Sequence, residues 1–175
     1  MKIAITGTPG TGKTSVASVL ARMGYTVEDT NNLAENFFVG YDEERECKIV
    51  DTDAMNDAFK KVKEEGILFV EGHLSHLLNI DFVIVLRCNP YELEKRLEKK
   101  KWKRSKIIEN LEGEAMDIIF SQACELHDKR VMEIDTTGRK AEDVAREITK
   151  IAAKGFVYRK VGKVDWSEWL MEHAG

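Results

Sequence analysis

The chain has 175 residues, of which 43% are apolar and 33% charged, with only 2 Pro and 12 Gly. That size and balance exclude a disordered chain and a second independent core, and they fit one α/β domain over residues 1–175. A net charge of −4 excludes a protein that coats nucleic acid by bulk charge.

Cys47, Cys88 and Cys124 lie too far apart for a zinc site or a disulfide framework. With no apolar run long enough to cross a bilayer, a monomer of the reducing cytoplasm is expected. Residues 2–6 (KIAIT) form a short apolar run ending at Gly7, and Val16, Val19 and Leu20 follow at the spacing of one helical face. This pattern reads as strand, loop and helix. A second short strand is expected at residues 26–29. Residues 31–47 mix apolar and acidic side chains around Gly40 and Tyr41 without a clean period, which predicts an inserted, mobile region. Asp53 has the chemistry of an N-cap for a helix carrying Ala54, Ala58, Phe59 and Val62, with Gly66 as its stop.

Residues 67–71 (ILFVE) and 82–86 (FVIVL) are continuous apolar runs, the pattern of parallel strands covered on both faces. A helix over residues 90–101 turns basic, and a longer one carries Ile107, Ile108, Leu111, Ala115, Ile118 and Ile119. A last strand is expected at residues 131–134 and a helix at residues 141–152. Beyond them, Trp166 and Trp169 fit a terminal helix packed on the body, with a partner site as the alternative. The alternation predicts an α/β fold, a parallel five-stranded sheet flanked by helices, with its ligand beyond the carboxyl ends of the strands.

Gly7-Thr8-Pro9-Gly10-Thr11-Gly12-Lys13-Thr14 matches the GxxxxGK[ST] phosphate loop, and it lies between an apolar strand and an amphipathic helix as that loop requires. Glycines such as Gly10 and Gly12 let successive N–H groups converge on phosphate oxygens, and the helix N-terminus adds positive potential. Lys13 would reach the β- and γ-phosphates of ATP, Thr14 would hold Mg2+, and Ser15 would contact the α-phosphate. The plain alternative is a glycine turn that only joins strand to helix.

Phosphoryl transfer also needs a carboxylate near the metal and cations near the γ-phosphate. Glu71 ends the ILFVE strand beside the loop, where it could hold metal through water or orient a water, and His73 follows two residues later. The bland reading makes Glu71 a loop cap and His73 an ordinary polar residue. The run KRLEKKKWKR over residues 95–104 places Arg96 and Lys100 on one helical face, with Lys100 the preferred closing contact. A solvated face, or contact with RNA phosphates beside Trp102, are the other uses of such a run.

Together these pieces resemble the nucleoside monophosphate kinases, and more narrowly the adenylate kinase isoenzyme 6 family. The resemblance rests on GTPGTGKT, on Gly40-Tyr41-Asp42-Glu43-Glu44 followed by Cys47 and Asp51, on Val70-Glu71-Gly72-His73, and on Arg96-Leu97 before a short lid and Glu109-Asn110. It implies a P-loop NTPase three-layer fold with a monophosphate-binding insertion at residues 29–52 and a lid at residues 99–109. It further implies transfer of the ATP γ-phosphoryl group to AMP, ATPase activity, and a role in small ribosomal subunit maturation with a ribosomal protein or pre-rRNA as partner. Gly10, Gly12, Lys13, Thr14 and Ser15 would form the ATP loop. Two departures stand out. Glu71 replaces the family's aspartate, and Lys100 stands where a nucleotide-binding arginine is expected. Glu35 occupies about the place of an AMP-holding arginine, for which Arg45 or Lys48 would substitute.

Overall fold

The computed structural model of the chain describes residues 1–43, 47–156 and 164–173. The first half runs β1 (Lys2–Thr6), α1 (Lys13–Arg22), β2 (Thr26–Asp29), α2 (Thr30–Ala34), β3 (Phe38–Asp42), β4 (Cys47–Val50), α3 (Thr52–Lys60) and β5 (Leu68–Glu71). The second runs β6 (Phe82–Arg87), α4 (Pro90–Glu98), α5 (Arg104–Ala115), α6 (Ile118–His127), β7 (Val131–Asp135), α7 (Ala141–Ala153) and α8 (Ser167–His173).

Five strands form one parallel sheet in the order β2-β5-β1-β6-β7. β1 is central, and the chain moves to one side of it for β2 and β5 and to the other for β6 and β7. A reversal of this kind leaves a crevice at the carboxyl end of the strand where it occurs. β1, β5 and β6 are buried along their whole length, as their continuous apolar runs require when helices cover both faces.

One face packs Ile3, Ile5, Phe69 and Ile84 against Val16 and Leu20 of α1 and Val144 and Ile148 of α7. The other packs Ala4, Val70, Val83 and Val85 against Met55 and Phe59 of α3 and Ala123 of α6. A third cluster joins Leu93 and Leu97 of α4, Ile107 and Leu111 of α5, and Trp169 of α8, so the terminal tryptophan packs on the body.

The element boundaries differ from the sequence expectation where tertiary contacts decide them. Asp51, not Asp53, caps α3 by accepting from the Ala54 N–H at 2.9 Å. α3 ends at Lys60, because Val62 is exposed and no buried side chain anchors another turn, so Gly66 lies in the following loop. The basic helix stops at Glu98, and Lys101 takes a positive φ of 56°, since a further turn would set Lys99 and Lys100 four residues after Lys95 and Arg96, where like charges repel. The long helix of residues 107–119 is two helices broken at Asp117, whose φ is 57°. Residues 31–47, expected as an inserted, mobile region without a clean period, hold most of α2, a 3₁₀ turn at Glu35–Phe37 and β3, and β4 of the antiparallel pair begins at Cys47. Glu44 and Arg45 lie outside the described residues. Among the described residues, no helix is long and apolar enough to cross a membrane.

Candidate active site

The loop after β1 turns at Gly7 with a φ of 137°, where a Cβ would stand 2.3 Å from the Leu86 carbonyl oxygen. Gly12 caps α1 in a left-handed conformation and has no side chain to satisfy the first-turn amides. Lys13, Thr14 and Ser15, which carry those amides, all line a cleft of about 560 Å³. The Lys13 ammonium folds back over the loop, donating to the Gly7 carbonyl at 2.7 Å and the Thr8 carbonyl at 3.1 Å. Burial lowers the Lys13 pKa to about 8, with Glu71 and Glu114 opposing the shift and Lys100 adding to it.

Parallel pairing sets Glu71 opposite Ile5 of β1 and Asp29 of β2, so all three strands end at the loop. The Glu71 side chain is buried, and it lines the cleft with Gly72 and His73. Its pKa is raised, first by burial and then by Asp29, against the pull of Lys13 and the Thr14 hydroxyl. Gly72 admits no side chain: its φ is 142°, and a Cβ would fall 1.7 Å from Thr30 Oγ1. That same hydroxyl donates to the Glu71 carbonyl at 3.0 Å, which locks the strand end.

His73 is open to the cleft, yet the surrounding protein and the Lys13 charge lower its pKa. Behind it, buried His76 contacts Thr6 Oγ1 through Nδ1 at 3.0 Å and Gln122 Oε1 through Nε2 at 2.9 Å, tying the end of β1 to α6. Thr14 and Glu71 together offer the hard oxygen donors that suit Mg2+, which otherwise keeps phosphate and water ligands.

Lys100 reaches the same cleft from the turn after α4, together with Arg96, Trp102 and Lys106. Lys100 Nζ lies 5.2 Å and Lys106 Nζ 5.0 Å from the Trp102 ring centroid. Arg96 donates to the Gly10 carbonyl at 3.4 Å and to the Thr136 carbonyl at 3.1 Å, so it braces the loop. Of the stretch 99–109, only residues 99–103 precede α5 as a connection.

Two smaller hollows adjoin the cleft. One, about 250 Å³, is lined by Gly10, Gly12, Ser15, Arg96, Thr136 and Arg139. The other, about 320 Å³, lies between Asn31, Glu35, Phe38, Lys48 and His73. The site therefore gathers Gly10, Gly12, Lys13, Thr14, Ser15, Glu71, His73 and Lys100 into one cleft. Thr136, Arg139 and Asn31 were missed in the sequence. The signal for the first two was the Thr-Thr-Gly-Arg turn after the last strand, at the same end of the sheet as the phosphate loop.

A glycine loop at the carboxyl end of the central strand of a helix-flanked parallel sheet defines a P-loop fold of the kinase type. The same architecture is seen in shikimate kinase from Acinetobacter baumannii in complex with shikimate, at a TM-score of 0.62 and 15% identity over 88% of this chain and 93% of that one. The chain belongs to the AAA domain family, whose model matches residues 3–117. It also belongs with archaeal proteins that carry the name "Putative adenylate kinase". The one from Thermococcus kodakarensis is 41% identical over 96% of this chain and 94% of its own length. That from Archaeoglobus fulgidus is 44% identical over 98% and 93%.

Proposed function

We propose that the protein is an ATP:AMP phosphotransferase of the adenylate kinase isoenzyme 6 type, catalysing ATP + AMP ⇌ 2 ADP. The observation that carries this reading is a buried lysine held at the mouth of a glycine loop in a cleft with two side hollows. The hollow at Arg96, Thr136 and Arg139 suits the adenosine of ATP, and the hollow at Asn31, Glu35 and Lys48 suits the monophosphate. Its one carboxylate, Glu35, would repel the AMP phosphate, which leaves that phosphate to Lys48 and the shared cleft.

In the reaction a phosphate oxygen of AMP attacks the γ-phosphorus. The bond from that phosphorus to the β–γ bridging oxygen breaks, and its electron pair stays on the departing ADP. Lys13 and Lys100 spread the charge of the transferring group, and the amides of residues 12–15 hold the α- and β-phosphates. Bound Mg2+ would neutralise the phosphate tail, with Thr14 and Glu71 as its protein-side donors. Closure of residues 99–103 over the cleft would keep water from the γ-phosphorus.

A second reading is supported by Glu71 and His73 at the cleft wall, where they could orient a water and give ATP hydrolysis. The exposed side chains Phe38, Val39, Tyr41 and Ile49 on the hairpin favour a protein partner, the small-subunit ribosomal protein implied by the resemblance, with pre-rRNA on the basic turn. Following products separates these readings. ADP formation that requires AMP is expected for the kinase, whereas phosphate release equal with and without AMP would replace it with the ATPase.

A further inference from the structure

Beneath the phosphate loop lies a buried ionic cluster that the reaction itself does not call for. Arg87 ends β6 and is 1% exposed, yet it meets the carboxylates of Glu114, Asp117 and Glu133. Burial works against its charge, but Glu114 and Asp117 outweigh burial, and its pKa is raised. Arg87 also donates to the Glu114 carbonyl at 2.9 Å, capping the end of α5 just before the break at Asp117.

Glu114 is 2% exposed, and both of its carboxylate oxygens are used. Oε1 accepts from Arg87 Nε at 2.8 Å and from the Cys88 N–H at 3.0 Å. Oε2 accepts from the Thr8 hydroxyl, across 106 residues of sequence, at 2.5 Å. Thr8 is itself buried, at a loop position where the phosphate motif accepts any residue. Its carbonyl receives Lys13 Nζ, the Thr11 hydroxyl at 2.8 Å and the Thr11 N–H at 3.2 Å. The Thr8 backbone is therefore the hub of the loop, and its side chain has one buried acceptor.

We infer that Glu114 is a positioning residue for the phosphate loop, gripping the Thr8 hydroxyl so that the Thr8 carbonyl fixes the Lys13 ammonium. The inference rests on the reading of this loop as the phosphate site. An anchored carboxylate suits this task because Arg87 and the Cys88 amide prevent it from turning away. A neutral hydroxyl bonded to a charged acceptor is also held more tightly than one bonded to a carbonyl. α5 carries Glu114 at one end and emerges from the cationic turn of residues 99–103 at the other, so the same helix joins the loop to the turn that faces it. Glu114 acts through Thr8 and touches no part of the cleft.

The test uses the full chain and three single variants, Thr8→Val, Thr8→Ser and Glu114→Gln, with the double variant Thr8→Val/Glu114→Gln. Thr8→Val keeps the shape but leaves the buried Glu114 Oε2 without its donor, so its melting temperature should fall modestly, and activity is compared at a temperature where both proteins stay folded. Its kcat should fall roughly 10- to 100-fold, the loss expected when a catalytic charge is displaced by about an ångström, with KM for ATP changed much less. Thr8→Ser should restore most of kcat. The double variant should be no slower than the slower single, because both changes cut one link.

A Thr8→Val protein with wild-type kcat, or losses that multiply in the double variant, overturns the positioning role. Even where Glu114→Gln fails to fold for want of the Arg87 counter-charge, the Val and Ser variants decide the matter. Calorimetry on the wild type separates the two levels. No binding of Mg-ATP there removes the phosphate-site reading itself, whereas binding with an indifferent Thr8 removes only the role of Glu114.

Discussion

Lys13 is the residue on which most of the proposed chemistry converges, and its surroundings set a pH range for it. Burial brings its pKa down to about 8 despite Glu71 and Glu114. On the proposed reading phosphate binding uses the ammonium, so affinity for Mg-ATP should hold near neutrality and weaken as pH rises through about 8, a fall that calorimetry at about pH 7 and about pH 9.5 would register. Lys13→Ala should lose roughly 100-fold in affinity and with it this pH dependence. The sign for stability is the reverse. Between about 8 and the unfolded value of 10.5 the unfolded chain holds more protons than the folded one, so the contribution of this lysine to stability rises with pH in the ligand-free protein. Gly72 makes a prediction independent of nucleotide. A methyl group there would collide with Thr30 Oγ1 at a φ of 142°, and Gly72→Ala should cost about 2 kcal/mol or more by chemical denaturation.

At the scale of elements, the parts that could be read in the sequence are those whose signal is local. The three buried strands announce themselves as continuous apolar runs, and the phosphate loop as a spacing of glycines and lysine between a strand and a helix. What escaped is set by contacts between distant residues. The break at Asp117 follows from Arg87 capping α5, thirty positions away in the chain, and no local period could reveal it. The cap of α3 at Asp51 and its end at Lys60 follow from Met55 and Phe59 reaching the sheet. The irregular sequence of residues 31–47 hid the β3–β4 hairpin, because its exposed Phe38, Val39, Tyr41 and Ile49 break the alternation of a half-buried strand. α8 is the clearest element to perturb. Trp169 is buried against α4 and α5, the two helices that flank the cationic turn, so Trp169→Ala should destabilise the protein by about 3 kcal/mol, measured as a lowered melting temperature.

At the scale of the whole molecule, topology does the gathering. β1 at the centre, with the chain departing to either side, puts Gly12, Lys13, Glu71, His73 and Lys100 around one cleft although they span 89 residues, from 12 to 100. The loop after β7 adds Thr136 and Arg139 at the same end of the sheet. The Thr-Thr-Gly-Arg turn that carries them is visible in the sequence, but only the order of strands sets it beside the phosphate loop. The chelation of Mg2+ should stop ADP formation, and restoring the ion should return it, since Thr14 and Glu71 are poor holders of a metal without the phosphate tail.

The most direct test of the central claim is a calorimetric titration of Mg-ATP into the purified chain, run beside Lys13→Ala. One saturable site in the wild type, lost or weakened roughly 100-fold in the variant, is the predicted result. Equal binding by the two proteins, or heat of dilution alone in both, would contradict it.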